Sequence, residues 1–129
     1  PEAEVLIGGP ISNKKDMIEA AKIILNMGSK NVLLKGGHLK SKMIFDILVT
    51  KRRIKIFKKI KIKTKNTHGT GCTLSSAIAT CLSQRKNILE SCEISLKYVN
   101  KAIAYAPGYG SGFGPLNHLI SFNLKNIND

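Results

Sequence analysis

NTHGTGCTLSSAIATC, residues 66–81, decides how this chain is read. Its first part, Asn66 to Gly71, is turn-forming, with glycine at 69 and 71. Its second part, Thr73 to Cys81, is small and apolar, the composition of a buried helix, and Cys72 stands where the two meet. The pattern predicts a helix from about Thr73 to Leu82, entered through a tight turn. Two glycines let the backbone fold closely and approach a ligand. The helix behind them offers unpaired N–H groups and the positive end of its dipole. Together these make an anion site, most naturally for a phosphate. A thiol at that place is expected to have a lowered pKa. The plainer alternative is a helix entry that buries a small cysteine, and these residues alone leave both open.

Working outward, residues 2–7 read as a short helix closed by Gly8-Gly9-Pro10. Pro1-Glu2-Ala3-Glu4 has proline and acids where a first helical turn wants them but no capping residue ahead of it. That predicts a chain that starts inside a larger domain. Ser12 or Asn13 caps a second helix whose apolar face is Met17, Ala20, Ala21 and Ile24, ended by Gly28. Val32-Leu33-Leu34 has the look of a buried parallel strand, followed at once by Gly36-Gly37. Residues 44–49, IFDILV, read as another strand. The stretch 51–65, KRRIKIFKKIKIKTK, alternates near its end and predicts a half-buried strand, antiparallel to its neighbour at a sheet edge. Asn87 with Glu90 resembles a capping box and opens a helix with Ile88, Cys92, Leu96, Val99 and Ile103 on one face, ended by Pro107. Strands alternating with helices predict an α/β fold, with a mostly parallel sheet flanked by helices and an antiparallel excursion.

The chain has 129 residues and a net charge of +13. Such a charge raises nucleic acid as a partner. Lysine outnumbers arginine 18 to 3, however, beside 17 isoleucines and 10 asparagines, all residues of A/T-rich codons. Compositional drift explains the charge at least as well. In 51–65 only Phe57 is available to stack on a base, so the stretch is read as a solvated lysine face and no specific nucleic-acid partner is expected. No run of ~18 apolar residues predicts a membrane span, and no signal segment opens the chain. Cys72, Cys81 and Cys92 have no CxxC spacing, which predicts reduced thiols in the cytoplasm. The P-loop, the dinucleotide fingerprint, GxSxG and HEXXH are all absent, and no zinc site is expected.

The wider string, THGTGCTLSSAIA, closely resembles the signature of the ribokinase superfamily, and within it of the hydroxymethylpyrimidine/phosphomethylpyrimidine kinases of thiamine biosynthesis. Many superfamily members carry aspartate where the pyrimidine kinases, like this chain, carry cysteine. Pro1 to Glu4 resembles the end of that family's NLPEAE segment, and Val32 to His38 its VLVKGGH strand and turn. Asp46 sits where the family has an aspartate in the next strand. Gly112 to His118 resembles its C-terminal GxGPxxH.

The resemblance covers nearly the whole chain and implies a ribokinase-like fold of which this is the C-terminal portion. The family is about twice as long, and the N-terminal half carries most of the pyrimidine pocket. It further implies ATP-dependent phosphorylation of 4-amino-5-hydroxymethyl-2-methylpyrimidine and then of its monophosphate, with Mg²⁺. On this reading the amides of Gly69, Thr70, Gly71 and Cys72 form the anion hole. Cys72 is the catalytic residue, a weak base for the alcohol and a neutral neighbour for the phosphate acceptor. Lys35 approaches the nucleotide phosphates, Thr67 and His68 touch the nucleotide, and Glu2 helps hold Mg²⁺ through water. A cytoplasmic homo-oligomer, a dimer, is implied for the full-length enzyme. The rivals are a pyridoxine/pyridoxal kinase of the same superfamily, a non-enzymatic basic nucleic-acid-binding module and an inactive remnant.

Overall fold

The computed structural model of the chain describes residues 1–39 and 41–120. Its elements are α1 (Glu2–Ile7), α2 (Lys14–Asn26), β1 (Asn31–Leu34), β2 (Met43–Thr50), β3 (Ile54–Ile60), α3 (Thr70–Ser83) and α4 (Ile88–Ala104). They fall into two units, Pro1–Lys61 and a second that begins at Ile62. The α/β class is the one expected.

In the first unit α1 stops where Gly8 turns left-handed, with φ 70°, and its N–H reaches the Glu4 carbonyl. α2 is capped by Asn13, whose side chain accepts from the amides of Lys15 and Asp16 at 2.8 and 3.0 Å. Met17 and Ala21 of that helix pack with Ile47 and Val49 of β2, joined at the margin by Val32 and Leu34 of β1. Burying each large apolar side chain here contributes about 1.5–3 kcal/mol.

The three strands lie in the order β1-β2-β3. Both pairings are antiparallel, with Val32 opposite Val49 and Asp46 opposite Phe57. The parallel pairing expected of Val32–Leu34 is therefore not found among the described strands. Connection length explains it: residues 35–42 are too few for a parallel crossover, which takes about a dozen or more. β1 is correspondingly half-buried rather than enclosed. β3 is the edge strand the alternation predicted, yet it covers 54–60 and not the alternating end at 60–65. Its partner runs out first, because β2 begins at Met43, opposite Ile60.

In the second unit α3 begins at Thr70 rather than Thr73, so Thr70, Gly71 and Cys72 form its first turn instead of preceding it. α3 packs on α4, with Leu74, Cys81, Cys92, Leu96, Val99 and Ala102 buried. Asn87 caps α4 by accepting the Glu90 N–H at 3.0 Å. The other half of the expected capping box is not made, since the Glu90 carboxylate pairs with Lys86 at 3.5 Å.

Candidate active site

Each unit carries a separate group of the residues singled out above, beginning in the first with the turn after β1. Gly36 is buried, and a Cβ there would collide with the carbonyl of Phe45. Its N–H donates to Asp46 Oδ1 at 3.1 Å. Asp46 is 1% exposed in the middle of β2. No aligned hydrogen bond reaches its second oxygen, which instead meets the Lys59 ammonium at 3.0 Å as a charge contact. Lys59 lies opposite Ile44, two positions along from Phe57, so the pair is a diagonal across β2 and β3. Lys61 Nζ donates to the Gly37 carbonyl at 3.1 Å.

This frame presents Lys35 and Glu2. Lys35 is exposed as a residue, yet enough protein surrounds its ammonium that desolvation leads in lowering its pKa. Asp46 and Glu2 act in the opposite sense, and Lys59 adds to the lowering. Glu2 and Asp46 thus lie within electrostatic reach of Lys35. Glu2 itself is in the first turn of α1 and exposed. Among the described residues no three His, Cys, Asp or Glu side chains stand together as a metal cage. An exposed carboxylate such as that of Glu2 does fit a Mg²⁺ ion that keeps its waters and takes its other oxygens from substrate phosphates.

The second unit carries the turn that opens α3. Gly69 is its N-cap, left-handed at φ 82°, and no side chain caps the helix there. The contrast with Asn13 and Asn87 is chemical: at α2 and α4 a side-chain oxygen occupies the first amides, and at α3 none does. Thr70 N–H turns back to the Thr67 carbonyl at 3.3 Å, and Thr70 Oγ1 donates to the same oxygen at 2.5 Å. The amides of Gly71 and Cys72 meet no acceptor among the described residues. The first turn of α3 holds no acid either, so its positive end is uncompensated.

Cys72 is exposed beside those amides, whereas Cys81 and Cys92 are buried. Burial, with Cys81 adding, pushes the Cys92 thiol up to about 11. Thr67 and His68 are exposed on the approach to α3. His68 N–H bonds the Gly114 carbonyl at 3.3 Å, which ties the approach to the glycine-rich loop after α4. A Cβ at Gly114 would require the Asn66 side chain to move. A cavity of about 550 Å³ opens along α3 from Cys72 and Thr73 to Cys81, with Tyr98 and His118 on its wall. Thr73 Oγ1 meets His118 Nε2 at 3.0 Å.

The structure thus brings Gly69, Thr70, Gly71 and Cys72 into one turn, exposed at Gly71 and Cys72, with Thr67 and His68 before it, and Glu2 into electrostatic reach of Lys35. Reasoning from residue patterns missed the Asp46–Lys59 pair and the Thr73–His118 contact. The first had a signal: a lone carboxylate inside IFDILV must find a partner once buried. The second had only the motif that ends in His118.

The left-handed glycine, the uncapped helix start and the exposed cysteine in its first turn belong to an α/β chain of ribokinase-like fold. Solved kinases share that fold. One, a Bacillus subtilis pyridoxal kinase in complex with ADP, matches with a TM-score of 0.86 at 31% identity, over 91% of this chain and 46% of that one. A phosphomethylpyrimidine kinase from Clostridium difficile matches at 0.66 and 40% identity, over 80% of this chain and 40% of that one. The family model for phosphomethylpyrimidine kinase matches residues 1–117, and the chain belongs to that family. A Staphylococcus aureus hydroxymethylpyrimidine/phosphomethylpyrimidine kinase is 37% identical across 100% of this chain and 48% of its own length. A thiamine biosynthesis bifunctional protein, ThiED, of Geobacter sulfurreducens is 45% identical over 94% of this chain and 25% of its own. The chain spans half or less of the length of these relatives.

Proposed function

We propose that the chain supplies the C-terminal part of a single ribokinase-like kinase domain. That kinase transfers the γ-phosphoryl group of ATP to 4-amino-5-hydroxymethyl-2-methylpyrimidine and then phosphorylates the resulting monophosphate. The observation that carries this is the uncapped first turn of α3, whose Gly71 and Cys72 amides meet no acceptor among the described residues.

Phosphoryl transfer asks a protein mainly for positioning and charge stabilisation. The amides of Gly69 to Cys72 hold the transferring group, and the rest of a ligand attached to it extends into the cavity beside Cys72. Lys35 meets nucleotide phosphates, and Glu2 reaches Mg²⁺ through water. Mg²⁺, when bound, neutralises phosphate charge; Thr67 and His68 line the nucleotide's approach. Cys72 suits both acceptors. The alcohol needs its proton taken, whereas a phosphate monoester, with second pKa ~6, is already anionic and would be repelled by a carboxylate. The same reading carries a cytoplasmic homodimer for the full-length enzyme. For the membrane the observation is narrower: no helix among the described residues is long and apolar enough to cross one.

The test is an acceptor assay on the chain completed by the part of the Staphylococcus aureus relative that it does not cover. ATP-dependent phosphorylation of the pyrimidine alcohol and its monophosphate is expected. The similarity to a pyridoxal kinase makes pyridoxal the decisive competitor, and a preference for pyridoxal would replace this reading with its rival. Cys72→Asp should slow the monophosphate step far more than the alcohol step; equal losses would remove the account of the cysteine.

A further inference from the structure

Asp46 is a carboxylate with almost no surface, and its two oxygens have different tasks. Oδ1 takes the Gly36 N–H at 3.1 Å, and Oδ2 takes the Lys59 ammonium at 3.0 Å. Gly36 directly follows Lys35 and cannot shift toward β2, because the Phe45 carbonyl already fills the space a Cβ would need. Lys61 fastens the next residue, Gly37, through its carbonyl at 3.1 Å. The turn is therefore held at successive peptides, by Asp46 of β2 and by Lys61, the residue that follows β3. A buried pair of this kind is a weak source of net stability, since desolvation offsets most of its attraction. Its geometry accounts for it better than its energy does.

We propose that Asp46, itself fixed by Lys59, is a positioning residue that clamps the Gly36 peptide and so aims the Lys35 ammonium at the nucleotide phosphates. This rests on the nucleotide role assigned to Lys35 above. Asp46 touches neither nucleotide nor acceptor; it acts through Lys35. Four charged groups bear on the turn. Asp46 on β2 and Glu2 on α1 favour the charged form of Lys35, Lys59 on β3 disfavours it, and Lys61, next after β3, holds Gly37. Removing the Asp46 charge leaves Lys59 unopposed and makes Lys35 easier to deprotonate.

The test compares Lys35→Gln, Asp46→Asn and the double variant in the completed kinase, with the rate of Lys35 acetylation read by peptide mass spectrometry. Asp46→Asn is expected to raise KM for ATP about tenfold while leaving KM for the pyrimidine alcohol unchanged, and to speed Lys35 acetylation at pH 8 by a similar factor. It should add nothing on top of Lys35→Gln, because both act through one ammonium. Equal rises in both KM values, full additivity, or an unchanged acetylation rate would overturn the proposal. If Lys35→Gln leaves ATP kinetics alone while acetylation still answers to Asp46→Asn, the nucleotide role fails and the clamp on Lys35 stands. Should Asp46→Asn fail to fold, Asp46→Ala with Lys59→Met removes both charges and the peptide clamp together. It must then show the same selective rise in ATP KM, and a wild-type ATP KM in that variant would overturn the proposal.

Discussion

At the residue scale the three cysteines show how position decides chemistry. Cys72 is exposed in the first turn of α3, while Cys81 and Cys92 are buried between α3 and α4. With its thiol pushed up to about 11, Cys92 has roughly a hundredth of the thiolate that its ordinary value of 9.0 would allow. Iodoacetamide at neutral pH should therefore modify Cys72 first, with Cys81 and Cys92 reacting only after denaturation. Peptide mapping checks the order, and early labelling of Cys92 would contradict the packing described. Gly36 makes the converse point about space. Gly36→Ala drives a methyl group into the Phe45 carbonyl and should cost about 1–3 kcal/mol, read as a lowered urea midpoint with an unchanged slope.

At the element scale the turn between α3 and α4 contains a correctable strain. Arg85 is left-handed at φ 63°. Its N–H bonds Leu82 O at 2.9 Å and that of Lys86 bonds Cys81 O at 3.2 Å, the paired bonds that usually close a helix on glycine. Arg85→Gly should raise stability by about 0.5–1 kcal/mol, a rise in Tm of a few degrees. No change in Tm would mean that the arginine is repaid by a contact on its side chain. Most elements were legible because their signals are local. The Asn13 and Asn87 caps, the Gly8 stop and the spacing of Met17, Ala20 and Ala21 act within a few residues of one another. The errors arose where a neighbour decides. Val32–Leu34 pairs antiparallel because of the connection that follows it, and β3 stops where β2 has no residue left to offer. α3 starts earlier than its small apolar residues indicate: Gly71 is a poor helix residue by propensity, yet the left-handed Gly69 starts the helix just ahead of it.

At the scale of the whole molecule, the site was legible as a string and not as an arrangement. Gly69 to Cys72 declared itself through glycine spacing and the helix behind it, and Lys35 through its place between a strand and two glycines. The frame around Lys35 was hidden, because nothing in the order of residues says that Lys59, rather than any of its many neighbouring lysines, reaches Asp46. That pair also bears on the charge of +13. Lys59, from the most basic stretch, is paired with the buried Asp46 and Lys61 is engaged by the Gly37 carbonyl, which leaves fewer cations free for a polyanion. Any DNA binding should therefore be weak, independent of sequence and lost by moderate salt, as fluorescence anisotropy would report.

The central claim is that the open amides at the start of α3 hold the phosphoryl group. Selective ¹⁵N-cysteine labelling of the completed kinase tests it directly, because Cys72, Cys81 and Cys92 are the cysteines of this chain. Those of the added part can be replaced by serine or alanine. On titration with Mg·ATP the Cys72 amide resonance should shift strongly as its N–H gains a phosphate oxygen, with Cys81 and Cys92 nearly still. A saturating nucleotide that leaves the Cys72 amide unmoved would contradict the claim.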